Sequence, residues 1–269
     1  MRIPIKAEAL FSGIGQVVEC AGNDELRPTM NGVFVELKGA TLSFVATNAQ
    51  VLSLRDTAYL GGEETSAIIP ARAARLLLNM LSMSQNGEEV ELQLSDKRVT
   101  VQLEGFVLSY RLTEGRYPNY RGVIPQNDKT AEVGVKELAG AIRRVSVLAD
   151  KEASMMKMSF DENGEALTIE AGSKSDSTFS KEEISVTADF ARFEIGLRPN
   201  YTLMLLDSIK TEKCRLIFST ADRAMIIVPA GVEGVLMLQM PMMVAMMFLW
   251  RLRSLQKMVC LLCHQMQKK

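Results

Sequence analysis

The residues with the most overt chemistry lie near the end of the chain. Cys260-Leu261-Leu262-Cys263-His264 matches the C-x-x-C-H haem-attachment pattern. Covalent haem attachment requires export, and the opening MRIPIKAEAL lacks the apolar run of a signal peptide, so no haem is expected here. His264 is the single histidine of the 269 residues, which removes any His-based triad or acid–base pair from the body of the chain. No Walker loop, H-E-x-x-H or paired-cysteine metal set occurs there, and carboxylates such as Asp150 and Asp222 have no partner that sequence can nominate. The expectation is therefore no intrinsic catalysis, no cofactor and no metal. Cys20, Cys214, Cys260 and Cys263 show no disulfide-framework spacing, which points to a reducing cytosol and a cytoplasmic protein.

Two other groups of residues could bind rather than react. Arg72 and Arg75 fall on one helical segment, Lys136, Arg143 and Arg144 on another, and Lys210 and Lys213 at the end of a third, where cations suit the helix dipole. Taken alone these are a solvated face or an anion-binding surface. Met237, Met240, Met242 and Met243 cluster around Pro241, which suits either core packing or an adaptable peptide-binding surface. Charge is unevenly spread. Residues 245–269 hold five cations and no acid, leaving 26 cations against 32 acids in residues 1–244, a net −6. Any DNA contact must therefore use a local basic surface against an unfavourable overall field. The longest apolar stretch, Gly234 to Trp250 followed by Arg251-Leu252-Arg253, has the flank of a membrane span. It is interrupted by Gln239 and Pro241, and Val235–Met240 fits a strand, so no membrane span is expected.

The elements that position these residues are written twice. Leu10, Ile14 and Val17 carry a helical stripe that Leu138, Ile142 and Val145 repeat 128 residues later, and Leu76-Leu77-Leu78 with Leu81 answers to Met204-Leu205-Leu206 with Ile209. Each repeat is long enough to be a domain with its own core. The first predicts a helix at Ala7–Ala21, strands at Val33–Lys38, Leu42–Ala46 and Val51–Thr57, a helix at Ala71–Leu81, then a meander at Glu89–Ser95, Arg98–Leu103 and Phe106–Leu112. Glu114–Lys129, with Pro118 and Pro125, reads as a linker. The second predicts a helix at Val135–Leu148 and strands at Met156–Phe160, Ala166–Ala171 and Glu183–Thr187. A helix at Asn200–Lys210 follows, then strands at Cys214–Ser219, Ala224–Pro229 and Val235–Met240. Ser173–Ser180 reads as a mobile polar loop. The fold class is α+β: two tandem repeats, each with two helices on one face of antiparallel sheet. Open sheet edges are a liability, and joining repeats edge to edge into an arc would remove them.

Four stretches carry a resemblance: R-P-T-M-N-G-V (Arg27–Val33), V-A-T-N-A-Q-V-L (Val45–Leu52), G-R-Y-P-N-Y-R-G-V-I-P (Gly115–Pro125) and M-P-M (Met240–Met242). In this order they resemble the bacterial sliding-clamp family, the beta subunit of DNA polymerase III, over about residues 1–244. The resemblance implies residues 1–126 as the family's central domain, 127–244 as its C-terminal domain, and 245–269 as a tail without assigned fold. It implies a ring of clamp repeats around double-stranded DNA, with helices lining the hole and no sequence specificity. Such a processivity factor is an accessory subunit of a DNA-directed DNA polymerase (nucleotidyltransferase) complex. Arg72, Arg75, Lys136, Arg143, Arg144, Lys210 and Lys213 would then face phosphates.

The resemblance also implies a cleft for a short peptide motif of DNA polymerase III and clamp-loader subunits. The matching positions are Met30, Thr47, Ala49, Gln50, Val51, Leu52, Pro118, Gly122, Val123, Leu238, Met240, Pro241, Met242 and Met243. Gln50 and Val51 stand where the family has a histidine and a basic residue, and Gly122 where some members have an arginine, so the apolar pocket is kept while its polar rim differs. Val147 and Leu148 match the family's head-to-tail subunit interface. The family's first domain would lie upstream of Met1, so self-association is expected to be impaired, with a non-DNA peptide-binding scaffold or an inactive fragment as the alternative reading. The apolar tail is expected to lower solubility.

Overall fold

A computed structural model describes residues 2–59, 61, 63–84, 87–103, 105–149, 154–173 and 178–242. The haem-like motif, Met243 and the 245–269 tail lie outside them. The first repeat runs β1 (Arg2–Lys6), α1 (Ala7–Val17), β2 (Gly32–Lys38), β3 (Thr41–Thr47), β4 (Val51–Ala58), β5 (Thr65–Pro70), α2 (Ala71–Leu81), β6 (Glu89–Leu94), β7 (Arg98–Leu103) and β8 (Phe106–Arg111). The second runs β9 (Lys129–Gly134), α3 (Val135–Ser146), β10 (Met156–Phe160), β11 (Ala166–Ser173), β12 (Thr178–Ser185), β13 (Thr187–Ala188), β14 (Phe193–Leu197), α4 (Pro199–Asp207), β15 (Lys213–Phe218), β16 (Met225–Pro229) and β17 (Val235–Gln239).

Several expectations are corrected. The first helix stops at Val17 and continues as a 3-10 turn, Val18–Cys20. The stretch read as a mobile loop contributes the end of β11 and the start of β12, so the strand expected at Glu183–Thr187 begins at Thr178. The helix expected to reach Lys210 ends at Asp207. β1, β5, β9 and β14 have no counterpart among the expected elements. Each runs into a helix with at most one intervening residue, so no turn residues mark where it ends.

Each repeat contributes strands to two sheets rather than one, and the two repeats share the larger. The strand orders are β1-β6-β7-β8, β12-β11-β10-β14 and a nine-stranded β13-β9-β15-β16-β17-β4-β3-β2-β5. The large sheet is the edge-to-edge joint that open edges call for: β17 of the second repeat pairs antiparallel with β4 of the first, Leu238 opposite Leu52 and Leu236 opposite Leu54. Gly234 admits the close approach. It has φ +73°, a Cβ there would sit 2.4 Å from the Asp56 carbonyl oxygen, and its own carbonyl accepts from the Asp56 amide at 2.7 Å. β8 and β12 are open edges of the two smaller sheets, whose other edge strands, β1 and β14, run into helices.

Alternation sorts the faces. Val33, Val35 and Leu37 of β2 point into a core shared with Leu10, Ile14 and Val17 of α1, Leu77 and Leu81 of α2, and their counterparts Leu138, Ile142 and Val145 of α3. Phe44 lies so close to α1 that a Cβ at Gly13 would meet its ring at 2.5 Å, which explains a glycine inside a helix. A second, smaller cluster of Val45, Leu52, Leu54, Ile68, Tyr117, Tyr120, Ala224 and Leu238 covers the other face of the large sheet, at the joint.

Candidate functional site: a cleft at the repeat joint

The outer cluster exists because the inter-repeat linker straps across the sheet. The Thr113 amide donates to the Ile68 carbonyl at 3.0 Å. Tyr117 stacks on Phe34 with centroids 4.5 Å apart, and Tyr120 meets the same ring edge-on at 6.1 Å. The Tyr120 hydroxyl donates to Glu36 at 2.8 Å, and Arg121 lies 5.1 Å from the Tyr120 ring centre. Burial, reinforced by the bond to Glu36, pushes the Tyr120 phenol up to about 12, and burial raises the Tyr117 phenol further. At the far end Asn127 donates to the Ile217 and Ala224 carbonyls at 2.8 and 3.0 Å. These are structural tyrosines in their neutral form.

Beside the strap lies a cleft of about 440 Å³. Of the fourteen positions expected there, the structure brings together Met30, Thr47, Ala49, Val51, Leu52, Pro118, Gly122, Val123, Leu238 and Met240. Gln50 holds the site through its backbone: its carbonyl accepts from the Met240 amide at 2.8 Å. Pro241 and Met242 do not line the cleft, because the Met242 amide turns to the Gly196 carbonyl at 2.8 Å. Sequence reading missed Asn119, Tyr120, Ile124 and Pro125 of the strap, and Asp222, Arg223 and Ala224 from the turn before β16. The last three are far away along the chain and only the β16–β17 pairing brings them in.

The corner between β3 and β4 is fixed by side chains. Asn48 Oδ1 accepts from the Gln50 and Val51 amides at 2.9 and 3.0 Å, and Thr47 Oγ1 donates to the Val51 carbonyl at 2.6 Å. Ala49 takes φ 72° there, strain that this surrounding network holds in place. Met240 and Val123 stand 41% and 56% exposed at the mouth. The result is a preformed apolar groove with flexible methionine walls and a rim carrying Asp222 and Arg223, suited to an apolar peptide side chain.

The basic residues fall on the opposite face. Arg72 and Arg75 occupy the free side of α2, and Lys136, Arg143 and Arg144 that of α3. Arg75 pairs with Glu19 at 3.1 Å, Arg143 with Asp207 at 2.6 Å and Arg144 with Glu182 at 2.5 Å. Lys210 is exposed in the turn after α4. Lys213 is a correction. It opens β15, whose core-facing residues are Cys214, Leu216 and Phe218, so it points to the side away from the helices and pairs there with Glu132 at 2.7 Å. Val147 and Leu148 are exposed at the end of α3, and the Leu148 carbonyl accepts from Thr178 of the open strand β12 at 3.4 Å. Among the described residues no cluster of His, Cys, Asp or Glu could hold a metal, and no helix is long and apolar enough to cross a membrane. Cys20 and Cys214 are free and buried, with thiols pushed up to about 12 by burial.

Residues 4–119 match the model of the DNA polymerase III beta subunit central domain, and residues 121–243 that of its C-terminal domain. The chain belongs to the sliding-clamp family. It is 25% identical over 222 residues to the beta sliding clamp of Vibrio cholerae, covering 81% of this chain and 59% of that protein. It is 29% identical over 202 residues to that of Haemophilus influenzae, covering 74% and 54%. The chain thus spans somewhat over half the length of these relatives. Among solved structures, a sliding clamp of Pseudomonas aeruginosa bound to griselimycin superposes with TM-score 0.86 at 23% identity, covering 90% of this chain and 65% of that one. DNA polymerase III beta subunit from Thermotoga maritima gives 0.84 at 23%, covering 90% and 65%. The sliding-clamp fold accounts for the α+β class and for the tandem repeat, and the family is that of a polymerase accessory subunit.

Proposed function

We propose that the chain acts as clamp repeats of a cytoplasmic replication processivity factor. The helix face lies along duplex DNA without reading sequence, and the cleft docks short motifs of polymerase III and clamp-loader subunits. The observation that supports this best is the placement of the cleft on the outer side of the sheet joint, with the basic residues of α2 and α3 on the helix side of the sheets. A partner held in the apolar cleft leaves the basic helices free for phosphates. Fluorescence anisotropy with a labelled polymerase-type peptide tests the cleft. Met240→Ala or Leu52→Ala should each weaken binding by about 1–2 kcal/mol, as for a buried anchor; equal affinity in all three proteins would remove the cleft assignment. Salt-dependent retention on DNA separates a clamp from a scaffold that binds only peptide.

Self-association belongs to the same proposal. The open strands repeat the internal joint: Leu108, Ser109 and Tyr110 of β8 stand 128 residues before Leu236, Met237 and Leu238 of β17. In β12, Phe179, Ser180 and Lys181 hold the places of Leu52, Ser53 and Leu54 in β4, as the ladder registers show. A head-to-tail contact between copies would pair β8 with β12 in the register of β17 with β4. Val147, Leu148 and Phe179 would flank it.

A further inference from the structure

We infer that Glu19 and Asp207 form an acidic seam down the middle of the helix face and limit how firmly that face holds DNA. This rests on the clamp reading proposed above. Gln16 of α1 donates to Ser208 just after α4 at 2.8 Å, so these helices meet across the joint, with α2 packed outside α1 and α3 outside α4. The inner pair carries no lysine or arginine, whereas α2 carries Arg72 and Arg75, and α3 carries Lys136, Arg143 and Arg144. Glu19 and Asp207 both line the crevice of about 450 Å³ between α1 and α4. From there each reaches outward to bond one arginine of the flanking helix, Arg75 and Arg143.

Across α2, α1 with its 3-10 extension, α4 and α3 the order is thus basic, acidic, acidic, basic, with Lys210 exposed in the turn after α4. All four side chains of the two pairs are about half or more exposed, so the pairs add little to folding. Their effect falls on the ligand. A phosphate that engages Arg75 or Arg143 must compete with a carboxylate already there, and the seam repels the backbone directly. Arg72 and Lys136, exposed and with no ion pair among the described residues, remain the readily available cations on α2 and α3. A ring that must slide gains from such restraint, because each phosphate fully neutralised adds to both affinity and salt dependence.

The test titrates the full chain against a fluorescein-labelled linear duplex at several salt concentrations. In Glu19→Gln/Asp207→Asn, affinity at low salt should rise about three- to tenfold, and the log–log salt slope should steepen by up to about two phosphate contacts. Glu114→Gln/Glu165→Gln removes two exposed acids outside the helix face, the same change in net charge, and should leave both unchanged, which separates a local effect from net charge. Peptide affinity of each variant reports on folding. Arg72→Ala/Lys136→Ala distinguishes the two levels of the argument. If that pair weakens binding while the seam variant binds as the unmodified chain does, or more weakly, the seam inference is overturned and the DNA reading stands. If neither pair changes binding, or none is detected, the DNA reading itself fails and the seam with it.

Discussion

The two repeats place the same four-strand row on their outer faces, and the rows could hardly differ more. In the first repeat it reads Ile68, Phe34, Val45, Leu54, each opposite the next. In the second, the equivalent places read Gly196, Lys157, Glu170, Lys181. The first row is apolar, is capped by Tyr117 and Tyr120 of the strap, and passes its outer cluster on to the cleft. The second is ionic, with Lys157 Nζ 3.1 Å from Glu170 and 3.2 Å from Glu194. One backbone plan therefore carries an apolar cleft beside this row in the first repeat and an ion cluster in the second. The outer face of a repeat is set by the alternate residues of its strands, and these can change without disturbing the residues that face the core.

Giving the first row the second row's chemistry should have the largest effect. Phe34→Lys removes the ring under both tyrosines and is expected to cost about 2–3 kcal/mol in urea unfolding, below the range for a fully buried Phe because Phe34 is only partly buried, and to abolish peptide binding. Full peptide affinity in a folded Phe34→Lys protein would show that the strap does not shape the cleft. The ionic row should respond to single but less to paired change. Glu170→Ala leaves Lys157 with less compensation and should cost about 3 kcal/mol, whereas Lys157→Met/Glu170→Met should be milder; equal losses would mean that the ion pair is incidental.

Alkaline unfolding sharpens the comparison from the strap side. Tyr120 titrates near 10 when unfolded and at about 12 when folded, so its contribution is complete below about pH 10 and is lost as pH rises through 12. Tyr120→Phe should flatten the fall in stability across that window and cost about 1–2 kcal/mol at neutral pH through the lost bond to Glu36. An unchanged pH slope would count against it. The smallest effect concerns the open edges. Ser109→Cys/Ser180→Cys should give an intermolecular disulfide under mild oxidation, since the register proposed for β8 and β12 sets those two residues opposite each other. Crosslinking no faster than in a control pair shifted by one residue would reject that register.

Much of the architecture was legible in residues alone. The 128-residue offset holds for α1 and α3, for α2 and α4, and for β5 and β14, although β5 and β14 were themselves unread. Apolar period and turn residues located Ala71–Leu81, Arg98–Leu103 and Met156–Phe160 to the residue. Ten of the cleft positions are those that the family resemblance implies, carried by the motifs at Arg27–Val33, Val45–Leu52, Gly115–Pro125 and Met240–Met242. What residues alone fixed was the repeat, the element types and the chemistry on offer: apolar methionines, scattered cations and no catalytic histidine in the body. Tertiary structure decided which of these meet. Strand pairing placed Asp222, Arg223 and Ala224 at the cleft, alternation turned Lys213 away from the helices, and helix packing set Glu19 and Asp207 between the basic helices. Each outcome depends on contacts between residues distant in the chain, and the free energy of such contacts leaves no mark on the local sequence.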